Sequence, residues 1–84
     1  VIHHASPDFW ISCRALPLAV QKLADRAFAV LKVDPRHPSL HFKNVDQFWS
    51  VRVGLRHRAI GVEMPDGVLW CWIGSHAEYD SRVG

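Results

Sequence analysis

The sequence predicts an α+β domain: an N-terminal helical hairpin packed on a small antiparallel sheet. Three observations carry this. Apolar residues recur at helical spacing in the first half, strand-like runs fill the second half, and the connections between those runs are too short for parallel crossovers. A chain of 84 residues supports one core, so residues 1–84 are read as a single domain. The chain begins at Val1 rather than Met, which leaves room for a native start upstream.

Val1–Ala5 reads as a short first strand. Ser6-Pro7-Asp8 is a helix start, because serine caps, proline suits the first helical position and aspartate complements the dipole. The helix that follows presents Phe9, Cys13 and Leu16 on one side, and Pro17 ends it. Val20, Leu23, Ala24, Ala27 and Leu31 then form the apolar stripe of an amphipathic helix, which Asp34-Pro35 and His37-Pro38 close. Four strands are expected at 40–45, 48–53, 56–63 and 68–73, with a bend at Gly54 and a turn at Pro65-Asp66-Gly67. A closing helix is expected from His76 to Arg82. Trp49, Val51 and Val53 share one strand face, and Ser50 and Arg52 share the other. The same alternation puts Trp70 and Trp72 on one face and Cys71 with Ile73 on the other. The tryptophan pair reads as core.

Composition excludes several classes. The longest unbroken apolar run, Val68 to Ile73, is far short of a membrane span, and no charged-then-apolar leader is visible. Two cysteines make no disulfide scaffold and read as reduced core thiols of a cytoplasmic protein. No Cys-x-x-Cys, His-Glu-x-x-His, glycine-rich phosphate loop or Gly-x-Ser-x-Gly elbow occurs, so neither a metal nor a cofactor is expected. The net charge is only +2, but it is unevenly placed. Residues 36–58 carry Arg36, Lys43, Arg52, Arg56 and Arg58 against Asp46 alone, whereas residues 59–84 carry Arg82 against four carboxylates. A local basic patch on a near-neutral chain points to one anionic site.

Arg52, Arg56 and Arg58 are the first candidates. Arginines alternating on neighbouring strands set guanidinium groups side by side, a geometry that grips phosphate oxygens; if the sets meet, the uncovered sheet face is a cationic floor. The other reading is a solvated face paired with Glu63, Asp66 or Glu78. His76 follows the last strand directly and can transfer a proton near neutrality, and Tyr79 can stack on a base or donate a hydrogen bond. The other reading of that segment is a helix-capping turn with an exposed histidine. Pro38 argues against His37 and His41 as a helical metal pair.

Taken in order, Ser6-Pro7-Asp8-Phe9, Asp34-Pro35-Arg36-His37-Pro38, Trp49-Ser50-Val51-Arg52-Val53-Gly54, His57-Arg58-Ala59-Ile60 and Trp72-Ile73-Gly74-Ser75-His76-Ala77-Glu78-Tyr79-Asp80 resemble the RelE/ParE superfamily of bacterial type II toxins over nearly the whole chain. The resemblance implies a helical hairpin on a small antiparallel sheet with a basic concave face. Its RelE-like branch implies endonucleolytic cleavage of mRNA, usually on the ribosome; its ParE-like branch implies inhibition of DNA gyrase. Both imply a cognate antitoxin, and a degenerate, purely antitoxin-binding domain is a third alternative. By resemblance, Arg58 and Arg52 hold the phosphate, His76 matches the terminal proton-transfer histidine of YafQ-like and HigB-like toxins, and Tyr79 matches the C-terminal aromatic that orients substrate. His57 stands where many relatives have tyrosine, and it reads either as a second proton-transfer group or as a structural residue. The strand that carries paired lysines in RelE proper reads Phe48-Trp49-Ser50-Val51 here, with Lys43 the nearest lysine. That departure favours a histidine-centred variant, with Arg56, Lys43 and His57 as further substrate contacts. RNA cleavage suits this set, because the RNA supplies its own nucleophile, the 2′-OH.

Overall fold

The computed structural model describes residues 2–83. The elements run β1 (Ile2–Ala5), α1 (Pro7–Arg14), α2 (Leu18–Val33), a 3-10 turn (Pro38–Leu40), β2 (Lys43–Val45), β3 (Phe48–Val53), β4 (His57–Met64), β5 (Gly67–Ser75) and α3 (His76–Val83). The five strands form one sheet in the order β1-β5-β4-β3-β2. Of the first-strand assignment Val1–Ala5, Val1 lies outside the described residues.

The α+β class holds, but the expected arrangement of a helical hairpin on an antiparallel sheet does not. The sheet is mixed, because β1 runs parallel to β5 with Ile2 opposite Gly67 and Ala5 opposite Trp70. Hydrogen bonds from Ile2 N to Asp66 O and from Ser6 N to Trp70 O, both 2.9 Å, fasten its two ends. Short connections force antiparallel pairing only among β2, β3, β4 and β5, which follow one another directly. β1 reaches β5 after two helices and three strands, a crossover long enough for parallel pairing. Nor do the helices form a hairpin unit. α1 lies mainly along β5 and α2 against β3, with little contact between the two. Each helix carries only a narrow apolar stripe, Phe9 and Cys13 on α1 and Ala24, Ala27 and Leu31 on α2, and the sheet offers it the larger apolar surface.

Local signals act as the residue types dictate. The Ser6 hydroxyl accepts from Phe9 N at 3.2 Å and caps α1, and Pro17 is the N-cap residue of α2. The first of the four expected strands is shortened to Lys43–Val45, because Pro38 starts a 3-10 turn that plunges Leu40 into the core. Gly54 turns the chain between β3 and β4 at φ 63°, a left-handed conformation open to glycine.

One face of the sheet makes the core with α1 and α2: Val51, Val53, Ala59, Val68, Trp70 and Ile73 are all buried there. Strict alternation along β5 fails, and with it the shared face expected for the two tryptophans. Ile60 pairs with Trp72 while the next residue, Gly61, pairs with Trp70, so Cys71 is an extra residue in a β-bulge. The bulge keeps both Trp70 and Ile73 in the core and sends Trp72 to the opposite face, where the Arg82 guanidinium of α3 lies 4.5 Å from its ring centre. Burial raises the pKa of both Cys13 and Cys71, so neither thiol is activated.

Candidate functional site

The second face of the sheet carries the chemistry. Antiparallel registers set side chains directly opposite one another on a common face. One row runs Lys43, Ser50, Ile60 and Trp72; the next runs Arg52, Arg58 and Gly74. Lys43, Arg52 and Arg58 therefore share this face, with the two arginines directly paired. Gly74 is required beside them, because a Cβ there would overlap the Trp72 ring.

Arg58 is the centre of the arrangement. It is 5% exposed, yet no carboxylate partners it: among the described residues the ion pairs within 4.0 Å are His4–Asp66 and His76–Asp80. Its Nε and Nη2 both donate to Ser50 Oγ, at 3.0 and 2.8 Å, and Nη2 also donates to the His41 carbonyl at 3.2 Å. The Tyr79 ring covers it from α3, 5.1 Å away. Neutral acceptors satisfy part of a guanidinium's five N–H groups without neutralising it. A buried cation held by neutral groups is costly unless an anion joins it. Arg52 adds a second cation beside it, half-buried, with Nε donating to Gly54 O at 3.1 Å. Of the acidic residues that could have made this a paired surface, Glu63 makes no ion pair within 4.0 Å among the described residues, and the other two are occupied elsewhere. Asp66 meets His4, and Glu78 bonds Ser75.

The wall on the β5 side is α3, so the cationic floor is not uncovered. Its start is a capping box: Ser75 N and Oγ donate to Glu78 Oε1 at 3.2 and 3.0 Å, and Glu78 N donates to Ser75 Oγ at 3.2 Å. The backbone N–H of Ser75, then its hydroxyl, hold the Glu78 carboxyl below its usual pKa. The capping turn and the exposed histidine both exist, and they serve to place His76 beside Tyr79, with ring centres 5.9 Å apart. His76 Nδ1 faces Asp80 Oδ2 at 3.3 Å, which leaves Nε2 for another partner. Tyr79 is buried, so its ring face meets Arg58 rather than solvent.

The remaining candidates are spread around this centre. Lys43 is exposed on edge strand β2, on the floor face. Arg56 stands exposed in the turn before β4, and its carbonyl accepts from His76 N at 2.7 Å. His57 opens β4 opposite Val53 and Ser75, on the other face parity from Arg58, and is half-buried. Two residues the sequence did not single out complete the site. Ser50 is 1% exposed beneath Arg58, a buried hydroxyl that strand alternation alone could have flagged. His41 follows the 3-10 turn, with its carbonyl on Arg58 and its Nε2 3.4 Å from Arg52 Nη1. Its φ of 43° is left-handed, uncommon for a residue other than glycine. No local pattern predicts that placement. Among the described residues, no three histidine, cysteine or acidic side chains converge as a metal site, and no helix is long and apolar enough to cross a membrane.

Compared by sequence, the chain matches no family model and no curated protein. Compared by structure, it is similar to three solved toxins. The RelE of a RelB–RelE antitoxin–toxin complex from Methanococcus jannaschii superposes with a TM-score of 0.72 at 10% identity, over 96% of this chain and 99% of that one. A copper-bound mutant toxin from Helicobacter pylori gives 0.70 at 16% identity, over 90% and 94%. The isolated Escherichia coli RelE toxin gives 0.63 at 11% identity, over 99% and 98%. At such identities the likeness is one of architecture, spanning nearly the full length of each partner, and this chain has the RelE-like toxin fold.

Proposed function

We propose that this chain is the toxin of a type II toxin–antitoxin pair and that it cuts mRNA on the ribosome. The observation that carries the reading is the buried, carboxylate-free guanidinium of Arg58 with Arg52 directly across the strand pair. Two convergent guanidinium groups suit a phosphodiester and the extra negative charge it gains when the 2′-oxygen attacks. Lys43 and Arg56 extend that field to neighbouring phosphates. Tyr79 fixes the plane of Arg58. His76, oriented by Asp80, gives its proton to the departing 5′-oxygen as the P–O bond breaks. RNA supplies the nucleophile, so the protein needs only cations and proton-transfer groups. The RelB-bound neighbour supports an antitoxin partner for this chain too, one with acidic and apolar residues to meet the arginines.

The test is tightly induced expression with parallel amino-acid and thymidine labelling, followed by cleavage of a defined mRNA on purified ribosomes. Protein synthesis is expected to stop first, with new mRNA ends that Arg58→Ala abolishes. Arrest of DNA synthesis with intact mRNA, and inhibition of gyrase supercoiling by the purified protein, would replace this reading with gyrase inhibition. If neither synthesis stops while an antitoxin still binds, the domain is a binding remnant.

A further inference from the structure

We propose that His41 is the general base of this site, taking the proton from the attacking 2′-OH while His76 serves as the acid. The inference rests on the ribonuclease reading above. His41 leads into β2 and α3 leaves β5, and the strand order β5-β4-β3-β2 puts Arg58 of β4 between them. His41 reaches Arg58 through its carbonyl and Arg52 through its ring, whereas Tyr79 and His76 approach from α3. A phosphate held on Arg58 and Arg52 would sit between the two imidazoles. In-line displacement needs that layout, with the nucleophile entering on one side and the leaving group departing on the other.

The chemical difference between the two rings follows their neighbours. An arginine only donates, so His41 Nε2 is the acceptor in its contact with Arg52 Nη1 and carries a lone pair there. The groups facing His41 are Arg52 from β3 and Arg58 from β4, both cations, and no carboxylate lies within 4.0 Å of its ring among the described residues. The group facing His76 is the Asp80 carboxylate, 3.3 Å from Nδ1, which orients the ring and leaves Nε2 for the leaving oxygen. At 3.4 Å the Arg52 contact is long and easily exchanged for a phosphate oxygen, freeing Nε2. The backbone is held for this purpose: His41 keeps a left-handed φ of 43° between the buried Leu40 and the strand that follows, a strained conformation typical of working sites.

The step balances. His41 Nε2 accepts the 2′-hydroxyl proton as the 2′-oxygen bonds phosphorus. The bond from phosphorus to the 5′-oxygen breaks, and that oxygen takes the proton from His76. The products are a 2′,3′-cyclic phosphate and a 5′-hydroxyl.

The experiment is single-turnover cleavage, on ribosomes, of an mRNA with one cut site bearing either the natural 5′-oxygen or a 5′-bridging sulfur, which leaves without a proton. Wild type, His41→Ala, His41→Asn and His76→Ala are compared. Asparagine tolerates the left-handed backbone and keeps the carbonyl on Arg58 but cannot act as the base. Both His41 variants are expected to lose about 10²–10⁴-fold in rate on either substrate, whereas the sulfur restores His76→Ala. Wild-type rates for His41→Asn, or rescue of His41→Ala by sulfur, would overturn the assignment while the ribonuclease reading stood. No cleavage by wild type under any condition would remove both.

Discussion

The two faces of this sheet are made of the same strands and obey opposite rules. The face under α1 and α2 has an apolar centre, with Val51, Val53, Ala59 and Trp70 at 0–1% exposure. The face under α3 holds Arg58 and Ser50 nearly as deeply, at 5% and 1%, but surrounds them with hydrogen bonds and a tyrosine ring. The first arrangement stabilises by removing apolar area from water. The second holds a charge away from water and leaves it without a counter-ion, which opposes folding and favours an incoming anion. In so small a domain, one face has to supply the stability that the other gives up.

Breaking the apolar face should cost most. Trp70 is 1% exposed, contacts Phe28 and Phe42 edge-on and tilted, and donates its indole N–H to His3 Nδ1 at 3.1 Å. Trp70→Ala is expected to lower unfolding free energy by about 3–5 kcal/mol in a denaturant titration. A loss under about 1 kcal/mol would mean that the core does not depend on this face.

Neutralising the polar face should separate stability from activity. Arg58→Met removes the buried charge but leaves Ser50 without its partner, so stability is expected within about 1 kcal/mol of wild type or above it. Cleavage should fall at least ~10²-fold in the same protein. A large loss of stability would show that Arg58 is chiefly structural.

The smallest effect is a pH dependence that reports on each face in its own window. Burial, and then the positive charge of Lys32, lower the pKa of His3 below 6.5. The folded state therefore prefers neutral His3, the form whose Nδ1 can accept from Trp70. Its contribution is complete above about pH 6.5 and is lost as pH falls from there through the lowered folded value. Glu78 on the other face is held below 4.5 by Ser75, so its contribution persists to lower pH and is lost as pH falls through that depressed value. Thermal midpoints measured from pH 8 to pH 3 should show two successive declines. His3→Gln should remove the first and Glu78→Gln the second.

Much of this was written in local sequence. Ser6 and Pro17 mark helix starts, the turns after β3 and β4 demand antiparallel neighbours, and Arg52 and Arg58 meet because period-two alternation put them on one face. Those features depend on a few adjacent residues, and the periods of 3.6 and 2 express them directly. The fold as a whole was less legible. β1 pairs with a strand some 65 residues away, a choice made by the free edge of β5 and by no signal within Ile2–Ala5. The bulge at Cys71 reverses the parity of everything after it, because Trp70 and Ile73 both find room in the core.

The candidate site divides the same way. The sequence by itself determined which cations and which proton-transfer residues the chain has to offer, and that Arg52 would share a strand face with Ser50. Only the tertiary structure decided that Arg58 would be buried without a carboxylate, that Tyr79 would cover it, and that His41 would arrive from a distant turn to complete it. Charge and rotamer are properties of a residue, whereas burial and partnership are properties of what long-range packing brings to it.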